Sequence, residues 1–202
     1  MLRQTAQTMP KSPSTHAPPA KIGPNALIQT VRALYVFYDT DDVAAMLGDH
    51  AYLLSDEPAH MVNEREFAAL GERLVDVLGT AQTTDILHLS GRYTADYLLA
   101  HRIPGFFQSI VHALPHRSGL RLLLLAIRQH TWAFIGSGQL DYRIGQKPFI
   151  DITVYEMPTA ASGFYGGTFE RLFQHLIAPQ TAIIPELDRQ QDALHCHYVV
   201  QW

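Results

Sequence analysis

"GQLDYRIGQKPFIDITVYEM", residues 138–157, is where the periodicity of the chain changes, and its reading decides the fold. Leu140, Tyr142 and Ile144 alternate with Gln139, Asp141 and Arg143, and Ile150, Ile152 and Val154 keep the same beat. A period of two sends alternate side chains to opposite faces, which is the pattern of a half-buried strand. "ALHCHYVVQW" (193–202) repeats it, with Leu194, Cys196, Tyr198, Val200 and Trp202 on one side. Ala182–Leu187 reads as a further strand. "YGGTFERLFQHLI" (165–177) reads as a helix between the strand pairs, with Phe169, Leu172, Phe173 and Leu176 inward.

Upstream of residue 138 the period is helical. Gly23-Pro24 opens a helix carrying Leu27, Val31, Leu34 and Tyr38, and "TDDVAAMLGD" (40–49) forms a short second one stopped at Gly48. "HMVNEREFAALGERLVDVLG" (60–79) is the cleanest. Asn63 and Glu66 resemble a capping box, Phe67, Leu70, Leu74 and Leu78 form the stripe, and Gly79 ends it. Another helix is predicted from about Thr83 to His101, weakened in its middle by Gly91, and two more around Phe106–Leu114 and Leu120–His130, punctuated by Pro104 and Pro115. Helices first, then two strands, a helix and two strands predict an α+β fold: N-terminal helices packed with a C-terminal antiparallel sheet of about four strands.

The 202 residues fit one domain preceded by a leader. Hydrophobic residues make up 47% and charged ones 17%, enough for a packed core. "MLRQTAQTMPKSPSTHAPPA" (1–20) lacks the apolar region of a signal peptide and is expected to be a disordered leader. Residues 21–202 would then be the domain, helical to 131 and strand-rich from 132. A net charge of −4 argues against a nucleic-acid partner. The longest strongly apolar run, Leu122–Ile127, falls far short of the ~20 residues of a membrane span, and the lone Cys196 suits a reducing compartment. A soluble, cytoplasmic protein is expected.

Standard cofactor signatures are missing. There is no phosphate-binding loop, and "GSGQLD" (136–141) fails as a dinucleotide fingerprint because Asp141 stands at its third glycine and a strand follows it. Its glycines are expected to turn the chain into the sheet. Cys196 sits on an apolar strand face, where a thiol is inert core. His195 and His197 share the opposite face; they are weak metal candidates without a third ligand at recognisable spacing, so no metal site is assigned.

The stretch 96–138, "DYLLAHRIPGFFQSIVHALPHRSGLRLLLLAIRQHTWAFIGSG", mixes apolar and aromatic residues with His101, Arg102, His112, His116, Arg117, Arg121, Arg128 and His130. An apolar slot with cationic rims would suit a large flat ligand bearing carboxylates, and a metal within that ligand would take one imidazole. "KIGPNALIQ" (21–29), "GRYTADYLLAHRIP" (91–104), "LP" (114–115), "HTWAFIGSG" (130–138) and "FYGGTFERLFQHL" (164–176) resemble the bacteriochlorophyll 4-vinyl reductase family. The broader domain is related to TRAPP-type Golgi-transport subunits and to haem-dependent nitric-oxide sensors. Several cysteines are common near the end of that domain, whereas only Cys196 is present here.

The resemblance implies an α+β fold and a place in bacteriochlorophyll biosynthesis, in one of two roles. One is a carrier that binds protoporphyrin, Mg-protoporphyrin or divinyl protochlorophyllide for the Mg-chelatase large subunit and the Mg-protoporphyrin methyltransferase. The other is an 8-vinyl (4-vinyl) reductase, whose hydride must come from NADPH, a flavin or an external reductant, none of which has a visible motif here. A third reading is an interaction subunit without ligand. Expected ligand-binding residues are Tyr97, His101, Arg102, Phe106, Phe107, His130, Trp132 and Tyr165. A homodimer and a peripheral position at the photosynthetic membrane are compatible with the same resemblance. A macrocycle removing ~400 Å2 of apolar surface from water would gain about 10 kcal/mol gross, and association costs would leave roughly micromolar affinity.

Overall fold

The computed structural model describes residues 20–202, so the expected leader lies, apart from Ala20, outside the described residues. The element order is β1 (Lys21–Ile22), α1 (Asn25–Leu34), α2 (Thr40–Leu47), a 3-10 segment Gly48–Leu54, β2 (Val62–Asn63), α3 (Glu64–Leu78), α4 (Thr80–His101), α5 (Gly105–Ala113), α6 (His116–Gln129), α7 (Trp132–Ile135), β3 (Gln139–Arg143), β4 (Phe149–Tyr155), α8 (Ala161–Leu176), β5 (Ala182–Gln190) and β6 (Ala193–Gln201). The fold is α+β, as the change of period predicts.

The four C-terminal strands form an antiparallel sheet in the order β3-β4-β6-β5. Its register places Ile150 opposite Tyr198, Ile152 opposite Cys196 and Val154 opposite Leu194, so the alternating apolar residues of two strands make one buried face. β5 is an edge strand, mostly exposed, and carries Pro185, a residue that edges tolerate because it cannot donate to a ladder. β1 and β2 make a small antiparallel pair that periodicity did not reveal.

α8 lies between the sheet and the helices, and α4 is pressed directly on it. A Cβ on Gly91 of α4 would stand 2.1 Å from the Phe164 carbonyl oxygen, and one on Gly167 of α8 would stand 2.1 Å from that of His88. Backbones approach so closely only where side chains are missing. Gly91, expected to weaken its helix, is therefore the position that lets α4 dock. Thr168 Oγ1 donates across this seam to the Gly91 carbonyl at 3.1 Å, and Arg92 pairs with Glu170 at 3.0 Å. Phe67, Phe164, Phe169 and Phe173 fill the interior around the seam.

Several boundaries differ from the sequence reading. α4 begins at Thr80, directly after Gly79, whose positive φ of 80° ends α3. α6 begins at His116 rather than Leu120, directly after Pro115, whose carbonyl accepts from the Ser118 and Gly119 N–H groups, and α8 begins at Ala161 rather than Tyr165. Asn63 does cap α3, accepting from the Arg65 N–H at 2.9 Å, but Glu66 does not close the capping box; it accepts from the Tyr52 hydroxyl at 3.1 Å. "GSG" does turn the chain into the sheet, with Gly136 at φ 68° and Glu64 accepting from both the N–H and the hydroxyl of Ser137.

Candidate functional site

The C-terminal half of α4 emerges from the core with one side facing α1, and the two helices leave an open groove of about 500 Å3. Gln29 and Arg32 line it from α1, and Tyr93, Asp96, Tyr97 and His101 from α4. The α4 residues recur at three- and four-residue intervals, which puts them on one helical face. A buried hydrogen bond between Thr30 and Ser90, 2.9 Å long, holds the two helices together beneath the groove.

Two of these side chains are already committed to the scaffold. Asp96 accepts from Arg171 of α8 at 2.7 Å, and Arg32 makes an exposed 3.5 Å pair with Glu57. Tyr97 and His101 instead form a stacked pair, with centroids 4.6 Å apart and planes 24° from parallel. His101 Nδ1 lies 3.1 Å from the Tyr97 carbonyl oxygen. A carbonyl can only accept, so Nδ1 carries the proton and donates; in the neutral ring Nε2 then holds the free lone pair. The Arg102 guanidinium sits 6.0 Å from the centre of the Tyr97 ring. One end of α4 thus presents an aromatic surface, an oriented imidazole and a cation side by side.

Of the eight expected ligand-binding residues, Tyr97, His101 and Arg102 come together here. The other five do not join them, and the whole stretch 96–138 does not enclose one slot as its composition suggested. Phe107 is half-buried against the core, while Phe106 points outward from α5. His130 caps the exposed C-terminus of α6, and Trp132 stands exposed on the single turn of α7. Tyr165 is 1% exposed, beneath Phe134 and Phe164, and burial pushes its phenol far above the usual range. The physical reason is the glycine seam: α4 and α8 close on each other, and aromatic side chains occupy the space a crevice would need.

His195 and His197 do share the open face of the sheet, each tied to a neighbour on β4: His195 to Thr153 at 3.0 Å and His197 to Asp151 at 2.5 Å. Among the described residues no group of three or more His, Cys, Asp or Glu side chains could hold a metal ion. The sequence reading passed over a second groove, of about 610 Å3, between the start of α6 and the edge of the sheet. Arg117, Lys147, Glu186 and Trp202 contribute to it, with His116 edge-on to Trp202 at 6.1 Å. Its parts lie on four separate elements, and no local pattern links them.

No protein-family model matches the chain. It is 33% identical over 171 residues to the bacteriochlorophyll synthase 23 kDa chain of Rhodobacter capsulatus, covering 81% of this chain and 78% of that protein. The protein of the same name from Cereibacter sphaeroides is 29% identical over 171 residues, covering 81% and 82%. Among solved structures, an Fe(II) unliganded H-NOX protein from K. algicida superposes with a TM-score of 0.60 at 9% identity, covering 89% of this chain and 96% of that one. A second H-NOX structure, from work on haem distortion, gives 0.56 at 12% identity, covering 88% and 93%. The likeness to H-NOX proteins shows a shared fold.

Proposed function

Because this chain belongs to the family of the bacteriochlorophyll synthase 23 kDa chain, we propose that it serves bacteriochlorophyll biosynthesis as a tetrapyrrole carrier. It holds an intermediate at the end of α4 and presents it to the magnesium chelatase and methyltransferase steps. The observation that carries this reading is the Tyr97–His101–Arg102 cluster, in which stacking and a hydrogen bond orient an imidazole whose Nε2 is free. Each part matches one property of the ligand class. The ring faces and the apolar lining of the groove take macrocycle surface, Arg102 takes a propionate, and His101 Nε2 offers a fifth ligand to magnesium. Tyr97 is a positioning residue for that imidazole. The groove volume lies within the range of small-molecule sites, though its openness leaves much of a macrocycle in solvent. Such exposure suits handing a pigment on.

Arg102→Ala tests the role directly. Loss of one charge-assisted contact should weaken binding of carboxylated protoporphyrin about tenfold in a fluorescence-quenching titration, and should leave the dimethyl ester unaffected. Equal losses for acid and ester would remove Arg102 from the site. Conversion of divinyl to monovinyl pigment by the protein with reduced nicotinamide alone would overturn the carrier reading in favour of a reductase.

A further inference from the structure

Between Tyr97 and Leu140 the chain contains four arginines and four histidines and not one aspartate or glutamate, although the whole chain carries −4. The acidic residues are all elsewhere. This basic segment comprises α5, α6 and α7. On α5 the outward stripe is Phe106, Ser109, Ile110 and Ala113, spaced at three, four and seven residues, while Val111 faces the core. On α6 the outward stripe is Ser118, Arg121, Leu125 and Arg128, with Leu120, Leu123 and Leu124 inward. Phe106 is 70% exposed, Ile110 49%, Leu125 43% and Trp132 59%. A helix facing only water would not spend its outer stripe on such residues.

We infer that the outer surface of α5, α6 and α7 docks this protein on an anionic lipid bilayer. Apolar tips flanked by arginines, with a tryptophan at one end, are the composition of an interfacial helix surface. Phe106, Ile110, Leu125 and Trp132 enter the headgroup–acyl boundary, and Arg121 and Arg128, on the outward stripe of α6, lie among the headgroup phosphates. The charge favours a bilayer as occupant, because a segment with four arginines and no acidic residue complements an anionic surface. The exposed parts of the four apolar side chains amount to roughly 400 Å2, spread over three helices. A bilayer needs no matching surface, and each basic side chain near it adds about 1 kcal/mol. Among the described residues no helix is long and apolar enough to cross the membrane, so the attachment is to one face.

Co-sedimentation of the full chain with vesicles of phosphatidylcholine, with and without phosphatidylglycerol, tests this without any pigment present. Its outcome is therefore independent of the carrier role. Binding should require phosphatidylglycerol, fall with added salt, and blue-shift the tryptophan emission in a manner lost with Trp132→Phe. Arg121→Ala with Arg128→Ala should weaken partitioning about 30-fold, the equivalent of about 1 kcal/mol for each arginine. Phe106→Ser with Ile110→Ser, both on the surface, should weaken it comparably while leaving the thermal midpoint in place. No binding to either vesicle, or binding that ignores both double variants, overturns the inference. So does a dimer in vesicle-free solution that Phe106→Ser with Ile110→Ser dissolves, because the apolar stripe would then belong to a second copy.

Discussion

Cys196 is 1% exposed between Ile152 and Leu187 on neighbouring strands, and burial pushes its thiol up to about 11. The fold therefore favours the protonated form. Below about pH 9 the thiol is protonated in both states and stability does not depend on it. Between about pH 9 and 11 the unfolded chain has lost the proton that the folded chain keeps, so stability falls as pH rises, by up to about 3 kcal/mol from this group. Tyr165 and Tyr198, both raised by burial, extend the loss at higher pH. Urea melts at pH 7, 9 and 10.5 should show a midpoint falling only above pH 9, with Cys196→Ala flattening the first part of the decline. The folded protein should also resist thiol reagents. The burial of Cys196 was legible from strand alternation alone. The distinction between His101 and His130 was not. Both sit near helix ends in an apolar setting, and only the Tyr97 carbonyl and ring, one turn before His101, give that imidazole an orientation.

At the level of elements, the α4–α8 seam is the joint on which the helical layer depends. Gly91→Ala would thrust a methyl group onto the Phe164 carbonyl, 2.1 Å from where its carbon must stand, and backbone cannot swing aside as a flexible side chain would. The cost should reach about 3 kcal/mol or more, read as a drop in the urea midpoint. Asn63→Ala removes the α3 cap and should cost about 1 kcal/mol in the same measurement, without touching the groove. Alternation told the strands plainly, because Ile150, Ile152 and Val154 of β4 and Leu194, Cys196, Tyr198 and Val200 of β6 face a single layer. The helical seam was hidden, because a glycine inside a helix reads as a weakness until its partner helix is known. The start of α8 was hidden for the same reason: Ser162 and Gly163 look like a loop, yet Gly163 also lies against α4, close to the Thr84 carbonyl.

Across the whole molecule, the groove and the basic surface meet at the end of α4, where Arg102 leads into α5. A pigment held at Tyr97 and His101 would thus lie beside the face assigned to lipid, a placement that suits a water-averse cargo. The fold class was readable because helical and strand periods occupy separate halves of the chain. The candidate site was legible only in part: composition showed which residue types were abundant in 96–138, while their dispersal around four helices depends on packing that no local pattern encodes. The most direct test of the pigment-binding claim is a Soret-band titration of magnesium protoporphyrin into the wild type, His101→Ala and His130→Ala. The wild type should give a saturable one-to-one shift, His101→Ala should weaken it about tenfold, and His130→Ala should match the wild type. A wild-type protein that leaves the band unmoved, or a shift that His101→Ala does not alter, would contradict the assignment.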